Sequence, residues 1–206
     1  MQSRIGARTE AIRVGGLRSR AIDAALRRVE TLGADALSLR DLASDLGTGQ
    51  ASLYHHFASK DALMAELACE GFRCLRQAFE SAVREPRGRR PLHACGDAYL
   101  AFARKRPELY RVMYADRLLA GHPTVREAEA SAFKAFADGI SADQPSATVL
   151  AERAMALWAF GRGIAALTMG LPASHEPPPR DLSRQIVRGL ESLIGQPIRG
   201  PRRPKD

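Results

Sequence analysis

The sequence predicts an all-α protein, and three observations carry that prediction. Alanine, leucine and arginine dominate between the loop-forming stretches, and all three favour helix. β-branched residues are few, and no segment alternates apolar with polar as a half-buried strand requires. Apolar residues instead recur at spacings of three and four, as on a helix that turns one face to a core. Helices are expected near 18–32, 39–46, 50–56, 60–83, 92–105, 107–119, 123–140, 146–170 and 180–194. No repeat of 20–50 residues interrupts the series.

The 206 residues suit one mid-sized domain or a small domain fused to a larger one, and 45% hydrophobic content is enough for a real core. Thirty-one basic residues against 23 acidic ones leave a net charge of +8, which attracts polyanions, nucleic acid among them. Three cysteines, Cys69, Cys74 and Cys95, are too few and too scattered for a disulfide framework, and they suit a reducing cytoplasm. No CxxC pair suggests a metal, and no cofactor is expected. The start of the chain lacks the apolar run of a signal peptide, and no window holds an uncharged membrane span. The localisation expected is therefore cytoplasmic.

Residues 1–17 carry Arg4, Arg8 and Arg13 among three glycines and read as a flexible basic arm. In the first helix Ile22, Ala25, Leu26, Val29 and Leu32 form an apolar stripe that Gly33 ends. Ser38 caps the second helix, with Asp41 three residues on in a capping-box position, and Leu39, Leu42, Ala43 and Leu46 form its buried face. Gly47 stands where that helix must stop and turn, because glycine accepts a positive φ without strain. Thr48 is expected to cap the third helix, which Leu53 and Phe57 anchor, and Ser59 to cap the fourth, where Asp61 suits the positive end. The segment 84–91, REPRGRRP, reads as a loop, and the tail 196–206, QPIRGPRRPKD, as a disordered basic end.

Two short helices around a glycine turn make a helix-turn-helix. Gln50, Ala51, Ser52, Tyr54 and His55 point away from the anchors of the third helix, and none is acidic. Such a face can enter a major groove. The amide of Gln50 suits an adenine edge, and the hydroxyls of Ser52 and Tyr54 suit phosphates. Lys60 stands beside the backbone path, and Arg40 can reach a phosphate or a guanine edge.

The string LASDLGTGQASLYHHFASKDAL resembles the DNA-binding signature of the TetR family of bacterial one-component regulators. Leu42, Ala43, Leu46, Gly47, Leu53, Tyr54, His56, Phe57, Ser59, Lys60 and Leu63 fall on that pattern without a gap, and the resemblance covers residues 18–65. It implies that Arg40, Thr48, Gln50, Ala51, Ser52, Tyr54, His55 and Lys60 face DNA, with Tyr54 and Lys60 on the backbone and Arg40 and Gln50 able to read bases. The chain departs from the pattern at Thr48, where valine is commoner, and at Gly49. The runs AYLAFARKRPELYRVMY (98–114) and ALWAFGRGIAALTMG (156–170) look like a C-terminal subtype of the same family, with Arg162-Gly163 standing where His-Gly is usual.

The resemblance implies a three-helix head at 18–65, joined by the long fourth helix to an all-helical ligand-binding and dimerisation domain at 66–195. For the ligand site the candidates are Phe72, Phe79, Tyr99, Phe102, Tyr110, Met113, Tyr114, Phe133, Phe136 and Trp158, with Arg162 as polar anchor. An aromatic and methionine lining suits a small, largely apolar effector. Arg162 has the alternative of pairing with Glu152 or Asp97. Met155, Trp158, Arg162 and Met169 are placed on the pocket side of the 146–170 helix. Gly161, Ile164, Ala165 and Thr168 are placed on a dimer seam, facing Ile186, Leu190 and Leu193 of a 180–194 helix in a four-helix bundle. The same residues allow a plain monomer core.

The expected function is a ligand-responsive repressor that binds a palindromic operator as a homodimer, since one short reading helix spans few base pairs. The expected partners are duplex DNA, a second copy and a small effector, with no membrane. The alternatives are an activator of the same family and a sequence-independent nucleic-acid binder using the basic ends. An enzyme is disfavoured because no nucleophile–base order, phosphate loop or HExxH stands in the sequence.

Overall fold

The structure is a computed structural model. It describes residues 3–170 except 86, 87, 89 and 142–146, and side chains from Gly16 onward except those of 147–150, 168 and 170. The expected helix at 180–194 and the tail at 196–206 lie outside the described residues. All described secondary structure is helical: α1 (Ser3–Leu32), α2 (Leu39–Asp45), α3 (Gln50–His56), α4 (Lys60–Arg84), α5 (Pro91–Lys105), α6 (Pro107–Met113), α7 (Asp116–Gly121), α8 (Pro123–Ile140) and α9 (Ala147–Gly170).

α1 begins at Ser3, so the basic stretch 1–17, expected as a flexible arm, is helical from that residue on. Once the packed part of a helix exists, each added residue extends it without a new nucleus. The helix ends at Gly33, whose φ of 83° is easy only for glycine and whose N–H reaches the Val29 carbonyl at 2.8 Å. Ala21, Ala24, Ala25, Leu26 and Val29 are buried. Leu32 leaves the expected stripe and is 62% exposed, because the chain turns away before anything covers it.

The α2–α3 turn closes through two backbone bonds. The Gly47 N–H donates to Ser44 O at 3.1 Å and the Thr48 N–H to Ala43 O at 3.0 Å, with Gly47 at φ 61°. This closure absorbs Thr48, so the cap of α3 falls on Gly49 and no side chain supplies it, contrary to the expectation for Thr48. Ser38 and Ser59 do cap their helices: their hydroxyls accept from the Asp41 N–H at 3.4 Å and the Ala62 N–H at 3.0 Å.

α4 is the axis of the molecule. Leu63, Leu67, Phe72, Leu75 and Phe79 are fully buried along it, and it packs against α8, α5 and α6. At Gly71 an added Cβ would stand 2.5 Å from the Met113 side chain, so the missing side chain lets α6 lie directly on α4. Proline opens α5, α6 and α8, at a position whose N–H has no partner within the helix.

The expected single helix over 107–119 is two helices. The Tyr114 N–H closes α6 and Ala115 is extended at ψ 119°. Asp116 then starts α7 with an acid at its positive end. The break lets the Tyr114 ring meet Phe72, edge to face at 5.3 Å.

Candidate DNA-binding face and effector site

The head is held by its own core and by ion pairs. Leu53 and Phe57 of α3 are buried against Leu39, Leu42 and Ala43 of α2 and the apolar side of α1. Arg28 of α1 grips Asp45 at the end of α2, with Nε 2.5 Å from Oδ2, and this bond holds the Asp45 carboxyl below the usual carboxylate range. Anchoring one side of α3 leaves the other free. Gln50, Ala51, Ser52, Tyr54 and His55 are exposed, Tyr54 at 49%, and Thr48 is half-buried at the entry. Arg40 is exposed at the start of α2. Lys60 is exposed at the start of α4, and its Nζ donates to the Asp35 carbonyl at 3.1 Å. Seven of the eight predicted positions are thus exposed and Thr48 is half-buried, and none of the eight is acidic.

A cleft of ≈ 720 Å³ runs along that surface between α1 and α3, lined by Leu17, Arg20, Thr48, Ser52 and His55 among others. Arg20 lies in it and donates to the Leu46 carbonyl at 3.4 Å. The sequence reading missed Arg20, since its distance from α3 along the chain hides that it comes alongside.

The candidate effector residues converge on one aromatic cluster. Phe79 lies at its centre, with ring centroids 6.2 Å from Tyr99, 5.4 Å from Phe136 and 6.1 Å from Trp158. Trp158 also meets Tyr99 at 5.5 Å and Phe133 at 5.5 Å, and Tyr110 meets Tyr114 at 4.7 Å. Phe72 joins through Tyr114. Phe102 is buried without a ring contact to this cluster among the described residues, and Met113 is buried against Gly71. Met155, placed on the same side of α9 by spacing, is 57% exposed and outside the cluster.

Three hydroxyls run through the cluster. Tyr99 Oη lies 2.7 Å from Tyr110 Oη and donates to Tyr114 Oη at 3.2 Å. Burial raises the pKa of all three, so they act as neutral hydrogen-bonding groups rather than phenolates. Arg162 stacks over the Tyr114 ring at 4.2 Å and has Glu129 of α8 as its carboxylate partner at 3.7 Å. Glu129 of α8 takes the role the sequence reading offered to Glu152, ten residues before Arg162 on α9, or to Asp97 of α5.

The dimer seam needs correction. Ile164 and Ala165 are buried within the protomer, and Gly161 lies against Tyr99, where an added Cβ would be 3.4 Å from the ring. Ile186, Leu190, Leu193 and the side chain of Thr168 lie outside the described residues. The exposed arc of α9 carries Met155, Ala156, Ala159, Gly163, Ala166 and Leu167 instead, with Leu167 53% exposed. This exposed arc lies about 170° round the helix from Gly161, Ile164 and Ala165, and Gly161 receives the Tyr99 ring.

The three cysteines are free. Cys95 is buried and its thiol is pushed up to about 11, while burial also raises Cys69 and Cys74. No described helix is long and apolar enough to cross a membrane.

A capped, glycine-turned helix pair with a free reading face, set on a helical companion domain, defines a helix-turn-helix DNA-binding transcription regulator. Comparison with known proteins specifies the class. A model of the bacterial regulatory proteins of the tetR family matches residues 21–67, and a tetracyclin repressor-like C-terminal domain model matches residues 92–190. The chain belongs to the TetR family. It is 30% identical over 98 residues to the uncharacterized HTH-type transcriptional regulator YobS of Bacillus subtilis (strain 168), a match covering 48% of this chain and 51%, about half, of that relative. A solved structure of a protein of unknown function from Rhodococcus sp. RHA1 superposes with a TM-score of 0.68 at 27% identity, covering 86% of this chain and 93% of that one. The multidrug binding protein EbrR, solved with imidazole, shares the fold with a TM-score of 0.55 at 24% identity, covering 88% of this chain and 92% of that one.

Proposed function

We propose that the chain is a ligand-responsive repressor that binds a palindromic operator as a homodimer and is released by a small, largely apolar effector. The observation that carries this reading is the path of α4. Its first residue, Lys60, follows closely on α3, and its sixth turn carries Phe79 into the centre of the aromatic cluster. An effector that parts those rings must move the helix on which the DNA head sits. The two heads of a dimer must match successive major grooves about 34–36 Å apart, so a small tilt of α4 disfavours the bound state. The second copy docks on the exposed arc of α9, where Ala159, Gly163 and Ala166 admit a close helix and Met155 and Leu167 supply apolar area. The protein works in the bacterial cytoplasm, at the nucleoid.

Selection of genomic fragments at fixed salt tests the reading directly. Wild type is expected to recover a two-fold-symmetric site. The Lys60→Ala/Tyr54→Phe variant is expected to bind that site more weakly and with a shallower salt dependence, the slope falling by about 1 for the lost cation. Unchanged affinity and slope in that variant would overturn it.

A further inference from the structure

The donor count at the aromatic cluster assigns the chemical class of the effector. Tyr99 has a single hydroxyl proton and gives it to Tyr114. The 2.7 Å contact with Tyr110 therefore uses the Tyr110 proton, and the relay runs from Tyr110 through Tyr99 to Tyr114. The Tyr114 proton is left over, with no acceptor among the described residues. The Arg162 guanidinium lies on the face of that same ring and makes no hydrogen bond to a protein acceptor among the described residues. Glu129, at 3.7 Å, balances its charge from beyond hydrogen-bond reach. Two kinds of donor thus meet at Tyr114, with the Glu129 carboxylate beside them as an ion-pair partner of Arg162 but not its hydrogen-bond acceptor, and the Arg162 side chain, 41% exposed, stands at the outer edge of the cluster.

We propose, resting on the repressor reading above, that the effector is an aromatic or alicyclic carboxylate whose oxygens take the Arg162 fork and the Tyr114 hydroxyl while its body parts the rings around Trp158. A guanidinium fork matches a carboxylate in geometry and charge. An organic cation would have to displace Arg162 from the ring it already covers.

Trp158 is the sole tryptophan and reports occupancy by its emission. The test titrates the full chain with 4-phenylbutanoate, 4-phenylbutan-1-ol and 4-phenylbutylammonium, which share one apolar body. The carboxylate is expected to bind about tenfold tighter than either analogue. Arg162→Gln is expected to erase that preference and leave the alcohol unchanged, and Tyr114→Phe to weaken the carboxylate about threefold. Circular dichroism checks that both variants fold. If the alcohol or the ammonium binds wild type as tightly as the acid, or if folded Arg162→Gln keeps the preference, the carboxylate assignment is overturned while an effector site at the cluster stands. If none of the three perturbs Trp158, the effector site falls with it.

Discussion

His122 Nε2 and Asp61 Oδ2 are 2.7 Å apart, which ties the turn before α8 to the first turn of α4. Arg117 of α7 holds the other oxygen of the same carboxylate. One side chain at the head of the α4 lever is thus gripped by two groups from the companion domain. Exposed pairs of this kind add at most about 1 kcal/mol to stability. Substitutions that disturb a coupling element change coupling by about 0.5–2 kcal/mol. Asp61→Asn is therefore expected to change operator affinity by more than it changes unfolding free energy. Fluorescence anisotropy on a selected site and urea unfolding, run on the same preparation, give the two quantities. Parallel losses would mean that the contact only supports the fold.

Gly47 isolates a backbone effect. An added Cβ there meets nothing within 4 Å, yet φ is 61°. Gly47→Ala should lose about 1–2 kcal/mol through conformation alone, and Gly47→Asn less, since asparagine tolerates that region. Thermal unfolding ranks the three proteins, and equal midpoints would contradict the argument.

Phe79 is fully buried and touches Tyr99, Phe136 and Trp158. Phe79→Ala removes the ring about which the others are arranged, and a loss of about 3–5 kcal/mol is expected. Phe133 is only half-buried at the edge of the cluster, so Phe133→Ala should cost clearly less. Trp158 emission during urea unfolding measures both. A Phe133 variant as unstable as the Phe79 one would place the centre of the cluster elsewhere.

The Arg28–Asp45 bond gives stability a defined acid limb. Asp45 titrates below its ordinary range because Arg28 donates to the charged form. Its contribution is therefore complete above the unfolded carboxylate pKa of about 3.9, and it is lost as pH falls through the lowered folded value. Arg28→Gln should remove that share of the pH dependence and leave the share of Glu70, which Arg73 likewise holds low. Unfolding midpoints measured from pH 6 down to pH 2 test this, and an acid limb identical to wild type would rule the bond out as its source.

The head was legible in the sequence because its determinants are close neighbours along the chain. Ser38 bonds three residues ahead, Ser59 does the same, and Leu53 and Phe57 are four apart. Even so, Thr48 shows the limit. Its N–H was needed to close α2, and a one-residue shift in the cap follows from that backbone geometry rather than from any preference of threonine. In the companion domain the aromatic residues were legible as an apolar set, but not their order in space. The Tyr110–Tyr99–Tyr114 relay depends on the break at Ala115, which no helix propensity signals.

Local chemistry alone determined that this protein is helical, where its head turns and which side of α3 is anchored. Those properties rest on capping, glycine conformation and apolar period, all acting over a few residues. The tertiary structure alone decided that Arg162 faces Glu129 and Tyr114, that Gly161 receives Tyr99, that Met155 and Leu167 remain uncovered, and that His122 reaches Asp61 across the chain. Each of these depends on the angle at which one helix crosses another. That angle is set by the summed shape of both packed faces, and no single segment contains it.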